Sequence, residues 1–285
     1  MTGRASVNKL LAAATERLAG AGVPSPRVDA ELLLGHVLGV PRARALTAGA
    51  PDARQSAAFA AAVDRRATRE PLQHIVGTAP FRHIEVAVGP GVFVPRPETE
   101  LLVDAVLPVL RAATRPLAVD LCSGSGALAL AIADEVPTAR VVAVERPGAA
   151  SDWLTRNAAG TRVEPVIADV GDGDLLADLL ADLHGRVDAV VANPPYVPAA
   201  LPVAAEVRHD PDVAVFAGAD GLALLPVVIA RAAELLRPGG VLAVEHADSH
   251  AAAVSRLLAE TGRFTDIRDH EDLAGRPRYA VAVGI

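Results

Sequence analysis

Apolar residues in the first 70 positions recur at the three-to-four spacing of helices with one buried face. Val7, Leu10, Leu11, Ala14 and Leu18 predict a first helix that ends at Gly20–Gly22. Ser25-Pro26 opens a second, carried by Val28, Leu32, Leu33, Val37 and Leu38 until Gly39 and Pro41. A third spans roughly Ala53 to Thr68. Three short helices without a strand predict a small bundle, suited to docking more than to chemistry. From Pro71 the pattern changes. Gln73–Gly77 and Ile84–Val88 read as short extended runs, a β-hairpin or connector. A helical run from Leu101 to Leu110 follows, with Pro97 at a first helical position and acidic residues in the first turn, where the helix dipole favours them.

From Leu117 onward strand and helix patterns alternate. Strands are predicted at Leu117–Leu121, Val141–Glu145, Val163–Asp169, Val187–Ala192, Val241–Glu245, Phe264–Asp269 and Arg278–Val283. Helices fit at Ala127–Asp134, Leu222–Leu236 and Ala251–Thr261. The first five strands are nearly continuous apolar runs, as expected for strands covered on both faces. Such alternation builds a parallel sheet with right-handed crossovers. Only the turn-rich Glu271–Pro277 separates the last two strands, so they should pair antiparallel. The expected architecture is a helical domain over residues 1–72, a hairpin connector over 73–95, and a doubly wound, mostly parallel seven-stranded α/β domain over 96–285.

Composition narrows the class. Of 285 residues, 51% are hydrophobic and 21% charged, which excludes wholesale disorder. A single cysteine, Cys122, excludes an intrachain disulfide and a multi-cysteine zinc cage. No basic segment leads into a long apolar run, and apolar stretches break well before membrane-spanning length, so a soluble intracellular protein is expected. The net charge is −7, and Lys9 is the only lysine. That balance disfavours sequence-independent binding to a phosphate backbone. The two arginine clusters, Arg42/Arg44 and Arg65/Arg66/Arg69, lie in helical contexts and read as solvated faces.

Candidate chemistry gathers at strand ends. The first strand of the α/β domain runs into Asp120-Leu121-Cys122-Ser123-Gly124-Ser125-Gly126, and a helix follows. Small residues there let a ligand approach the backbone, and the helix N-terminus offers free N–H groups. Gly124, Gly126 and Ala129 satisfy a loose dinucleotide-binding pattern. About 20 residues on, the second strand ends in Glu145, placed to accept from ribose hydroxyls. The fourth ends in Asn193-Pro194-Pro195-Tyr196. Prolines bring carbonyls without N–H groups, Asn193 adds a side-chain carbonyl, and Tyr196 adds a flat face. Two acceptors converging on one NH₂ group can draw its lone pair out of conjugation and hold it in line with an electrophilic methyl. Methyl transfer needs such a clamp, and hydride transfer does not.

With these motifs the sequence resembles the class I S-adenosylmethionine-dependent methyltransferases, and within them the release-factor glutamine methyltransferases (the PrmC/HemK family). The likeness covers essentially the whole chain. It rests on Glu70-Pro71-Leu72-Gln73-His74-Ile75-x-Gly77, Phe93-Val94-Pro95-Arg96-Pro97-Glu98-Thr99-Glu100, the Asp120–Gly126 loop, Asn193–Tyr196, and Pro238-Gly239-Gly240 leading to Glu245-His246. The resemblance implies that Cys122–Gly126 lines the methionine and ribose end of S-adenosyl-L-methionine, that Glu145 binds the ribose, and that Asp169-Val170 flanks the adenine. Asn193–Tyr196 would clamp the acceptor amide, the glutamine of the Gly-Gly-Gln loop in class 1 peptide-chain release factors, and the product would be S-adenosyl-L-homocysteine. A cytoplasmic monomer with neither membrane nor stable nucleic-acid partner is implied as well. The family more often carries Gly at position 122 and a larger side chain at 170.

Alternatives are a glutamine methyltransferase of a ribosomal protein, an adenine-N6 methyltransferase, which would have to extract its base from the stack, and a non-catalytic cofactor-binding module. His246 and His250, with Glu245 beside them, straddle a strand end and no further ligand is evident, so no metal is expected. Cys122 has no histidine beside it to make it a nucleophile. His74 and His83 read as packing or surface residues, and Trp153 as helix packing.

Overall fold

The computed structural model describes residues 2–285, with side chains from Val7 onward. The chain divides into two units, Met1–Thr78 with Val203–His209, and Ala79–Pro202 with Asp210–Ile285. Among the described residues the first holds the α-helices α1 (Thr2–Gly20), α2 (Pro26–Leu38), α3 (Arg42–Ala45), α4 (Ala53–Ala67) and α5 (Leu72–Val76). Val7, Leu11, Leu18, Leu33, Leu34, Phe59, Val63 and Ile75 form its core. Asp52 and Gln55 close a reciprocal capping box at the start of α4.

Three readings of this unit are corrected. Gln73–Gly77 is not a strand: Pro71 opens α5 there, Gly77 ends it with φ at 85°, and Ile75 is buried in the helical core. The β-branched Ile75 and Val76 mimic a strand, but tertiary burial decides. The buried face of α2 is not the one with Val28 and Leu32, which are exposed; Asp29, Ala30, Glu31, Leu33 and Leu34 are buried instead. The reason lies in the arginines, of which Arg42, Arg44 and Arg65 are exposed as a solvated face would be, while Arg66 is buried and Arg69 half-buried. Arg66 is 5% exposed and donates to Asp29 at 2.7 Å and to Glu206 at 2.9 Å. Arg69 makes two further bonds to Glu206, Arg65 pairs with Glu70, and Arg42 with Arg27 holds Glu31. Buried carboxylates turn the polar edge of α2 inward, and Glu206 ties 203–209 into this unit.

The second unit begins within the hairpin of β1 (Thr78–Phe81) and β2 (Ile84–Ala87), followed by a 3₁₀ turn, Pro97–Thr99, that leads into α6 (Glu100–Ala112). The sheet and its helices follow: β3 (Leu117–Leu121), α7 (Ala127–Glu135), β4 (Arg140–Glu145), α8 (Ala149–Ala158), β5 (Val163–Ile167), α9 (Gly173–Leu179) and β6 (Val187–Ala192). After them come α10 (Asp212–Val215), α11 (Leu225–Leu235), β7 (Leu236–Glu245), α12 (Ala251–Glu260), β8 (Phe264–Glu271) and β9 (Pro277–Gly284). Seven strands order as β5-β4-β3-β6-β7-β9-β8, with β3 to β7 parallel and β9 antiparallel to both neighbours. This is the doubly wound sheet with an antiparallel edge that the pattern predicts. Two apolar layers sandwich it, one around Val119, Val190 and Leu242, the other around Ala118, Val191 and Leu128. The expectation of full cover fails at β5. As an edge strand it leaves Glu164, Pro165 and Ile167 exposed, and an edge is where Pro165 is tolerated. Among the described residues no helix is long and apolar enough to cross a membrane.

Candidate active site

Strand register builds the site. Val144, Leu121, Ala192 and Val244 form one line across β4, β3, β6 and β7. The next residues along those four strands are Glu145, Cys122, Asn193 and Glu245, so residues far apart in sequence emerge in one row at the carboxyl edge. Ligands of open α/β sheets bind in this crevice, where the winding reverses.

On the β3–β4 side, the loop Asp120–Gly126 turns into α7 through positive φ at Cys122 (63°), Gly124 (57°) and Gly126 (86°). A Cβ at Gly126 would lie 2.8 Å from Leu154, while one at Gly124 would meet open space, so only Gly124 presents bare backbone to a ligand. The Glu145 carboxylate accepts from Gly124 N–H at 2.8 Å and thereby braces the loop. Asp120 is fully buried. Its Oδ2 accepts from Ala129 N–H at 3.2 Å, and its Oδ1 has no partner among the described residues. Burial pushes the Asp120 carboxyl up to about 8, with Glu145 adding to the rise. Burial also raises Glu145. The Cys122 thiol is driven well up, by burial first and then by Glu145 and Asp120, so it stays protonated and is no nucleophile. Asp169 closes an Asx turn onto Gly171 N–H, and Val170 is buried beside β5.

On the β6–β7 side, Asn193 Nδ2 donates to Thr99 Oγ1 at 3.1 Å, and Thr99 Oγ1 donates to Glu245 Oε2 at 2.7 Å. Tyr196 Oη donates to Glu245 Oε1 at 2.8 Å. Burial, and then Glu245, raises the Tyr196 phenol far above its usual range, so Tyr196 is a locked ring face and not a base. Glu245 is raised by burial, against the opposing pull of Thr99, Tyr196 and the nearby Arg278. No donor among the described residues reaches the carbonyls of Pro194 and Pro195. The Phe93–Glu100 segment is pinned from elsewhere: Asp210 accepts from Val94 N–H and from Arg96, which also lies over the Phe93 ring.

Sequence reasoning missed Asp210 and Arg278, and it met Thr99 and Glu245 only as members of the motifs that carry the resemblance, Glu245 also as a weak metal candidate, with no role for either. No local signal could have linked Thr99 to Glu245, since the two are 146 residues apart. Among the described residues no group of three side chains is placed to hold a metal. His246 is fully buried, with Nδ1 at 2.8 Å from Ala247 O and Nε2 at 2.8 Å from Asp269. Trp153 lies in α8, packs with Val88 and Val92, and donates to Pro90 O at 3.2 Å. His74 is buried and His83 exposed.

A family profile described as the PrmC N-terminal domain matches residues 9–77, and one described as a methyltransferase small domain matches residues 83–208. The release factor glutamine methyltransferase of Streptomyces coelicolor is 50% identical over 277 residues, covering 95% of this chain and 96% of that one. That of Mycolicibacterium smegmatis is 48% identical, covering 96% of each. This chain belongs to the release factor glutamine methyltransferase family. Its relative in Deinococcus radiodurans, at 39% identity over 277 residues, again covers 96% of both chains. The solved T. thermophilus 16S rRNA methyltransferase RsmC, in complex with AdoMet and guanosine, matches with a TM-score of 0.50 at 24% identity, over 73% of this chain and 50% of that one, a likeness of fold.

Family membership makes the protein a methyltransferase and implies S-adenosylmethionine as its methyl donor. The residues fit such a group. The orphaned Asp120 Oδ1, the Glu145 carboxylate and the open backbone at Gly124 suit a molecule with positive charge and hydroxyl donors.

Proposed function

We propose that the protein methylates the side-chain amide nitrogen (N5) of the glutamine in the Gly-Gly-Gln loop of class 1 peptide-chain release factors, with S-adenosyl-L-methionine as donor. The observation that carries the reading is the row Glu145, Cys122, Asn193 and Glu245, which sets a loop suited to the cofactor beside a clamp for a planar NH₂ group. Glu145 and the Cys122–Gly126 loop hold the ribose and methionine end, Asp120 faces the same end, and Asp169 with Val170 flanks the adenine. When bound, the cofactor supplies an electrophilic methyl on sulfur.

The Asn193 side-chain carbonyl and the Pro194 carbonyl each accept one N–H of the glutamine amide. That pair fixes the nitrogen's position and frees its lone pair to form the new N–C bond as the S–C bond breaks, leaving S-adenosyl-L-homocysteine. Both carbonyls then stabilise the positive charge gained by the nitrogen, which falls as its surplus proton leaves to water. No side-chain base is needed, consistent with a Tyr196 phenol that holds its proton. Tyr196 and Pro195 wall the amide's flat face.

The helical unit docks the protein substrate, because a single inserted glutamine offers too little surface for specificity. The enzyme then acts as a cytoplasmic monomer. Radiolabelled methyl transfer to release factor, ribosomal protein and DNA side by side tests the reading. Label should appear on the release factor and vanish when its Gly-Gly-Gln glutamine is replaced. Label on ribosomal protein or DNA alone overturns it.

A further inference from the structure

We infer that Thr99 and Glu245 are positioning residues that set which end of the Asn193 amide faces the acceptor. The inference rests on the clamp described under Proposed function and adds to it the source of the clamp's polarity. An amide can accept at one end only, so a flipped Asn193 would present N–H to an N–H and repel the substrate.

The direction of each proton along the buried chain decides the matter. Glu245 is 1% exposed and receives two hydroxyl donors, Thr99 on Oε2 at 2.7 Å and Tyr196 on Oε1 at 2.8 Å. When ionised, the carboxylate only accepts, so both hydroxyls spend their single proton on it. Thr99 is 4% exposed and has then no proton left for Asn193. Its oxygen can only accept, so the group 3.1 Å away must be the NH₂ end of Asn193. The Asn193 carbonyl is thereby turned outward as the acceptor. Burial raises the Glu245 carboxyl, and the two hydroxyl donors with the Arg278 guanidinium, held by Asp272 at 3.1 Å, oppose that rise, so the polarity described is that of the ionised carboxylate.

None of these partners is close in sequence. Thr99 enters on the 3₁₀ turn before α6, Asn193 on the end of β6 and Glu245 on the end of β7. Register places Ala192 opposite Val244, so Asn193 and Glu245 leave the sheet together, and Thr99 bridges them. Thr99 and Glu245 act through Asn193 and need not touch substrate.

A double-mutant cycle on the full-length enzyme separates this role from simple packing. Thr99→Val keeps the shape but removes the hydroxyl. Release-factor methylation at saturating cofactor should fall in kcat by about 10–100-fold. KM for release factor and the calorimetric Kd for S-adenosylmethionine should stay within about threefold. Thr99→Ser, which keeps the hydroxyl, should restore kcat to within about threefold of the parent. In an Asn193→Ala background, Thr99→Val should cost almost nothing further, because there is no amide left to orient. The cycle is repeated with Thr99→Ala, so that a folding defect in the valine variant leaves the comparison intact. Equal losses in both backgrounds, or a serine variant as slow as valine, overturn the inference while the clamp stands. If Asn193→Ala alone keeps its turnover, the clamp itself fails, and the inference with it.

Discussion

An amide side chain has two ends of nearly equal size and opposite hydrogen-bonding character, and in the clamp proposed at Asn193 the chemistry depends on which end faces outward. The acceptor interaction strengthens as charge develops on the attacked nitrogen, so it contributes more in the transition state than in the ground state. Loss of a preorganised partner of this type typically costs about 10²–10³ in rate. Asn193→Ala should lose kcat by about that factor on saturating release factor, with the enzyme folded and still binding cofactor by calorimetry. Asp120 makes a second, different prediction. Burial lifts its carboxyl from 3.8 to about 8 in the folded chain. A group whose folded value is raised lends stability that is complete below its unfolded value and is lost as pH rises through the folded one. Cofactor-free enzyme should therefore lose thermal stability between about pH 4 and pH 8 more steeply than Asp120→Asn, which cannot ionise. Parallel Tm-against-pH curves for the two proteins would remove Asp120 as the cause.

At the scale of elements, polar burial shapes the helical unit as strongly as its apolar core. Asp29 on α2, Arg66 on α4 and Glu206 in the 203–209 segment meet in one ion network, with Arg66 at its centre. Glu206 is held down at about 2 despite its burial, by Arg69 and Arg66. Removing one member of a buried pair leaves an uncompensated charge, worth about 3–5 kcal/mol. Arg66→Ala should lower unfolding free energy by about that amount, read by urea titration followed by circular dichroism. A loss below about 1 kcal/mol would mean that Asp29 and Glu206 find water or Arg69 instead. The same network explains why α2 shows Val28 and Leu32 to solvent, against its apolar pattern.

At the scale of the whole molecule, the proposed reaction site falls in the second unit. If the first unit docks the protein substrate, remote binding energy should assist the chemistry at the glutamine. A short peptide carrying Gly-Gly-Gln should then be methylated with kcat/KM about 10²-fold or more below that of intact release factor, and excess release factor should compete it away. Equal efficiency on peptide and intact factor would show that recognition ends at the clamp.

Much of this was legible in the sequence, for a physical reason. Strands β3 and β6 are buried runs, and the β8–β9 hairpin is marked by the turn residues between its strands, so short-range pattern suffices to place them. The loops at Asp120–Gly126 and Asn193–Tyr196 could be singled out as candidates because they are contiguous runs of small residues and prolines, whose backbone properties need no distant partner. Where side chains must find each other across the chain, local pattern is silent. Gln73–Gly77 looks extended until Ile75 is seen in the helical core, and Arg66 looks solvated until Asp29 and Glu206 surround it. Glu245 gains a role only when sheet register sets it beside Asn193 and the turn at Thr99 closes between them. Local backbone preference and periodic burial were written in the sequence, but the direction of the protons along Asn193, Thr99 and Glu245 was decided by tertiary structure, because a hydrogen bond's polarity depends on every other partner its groups already hold.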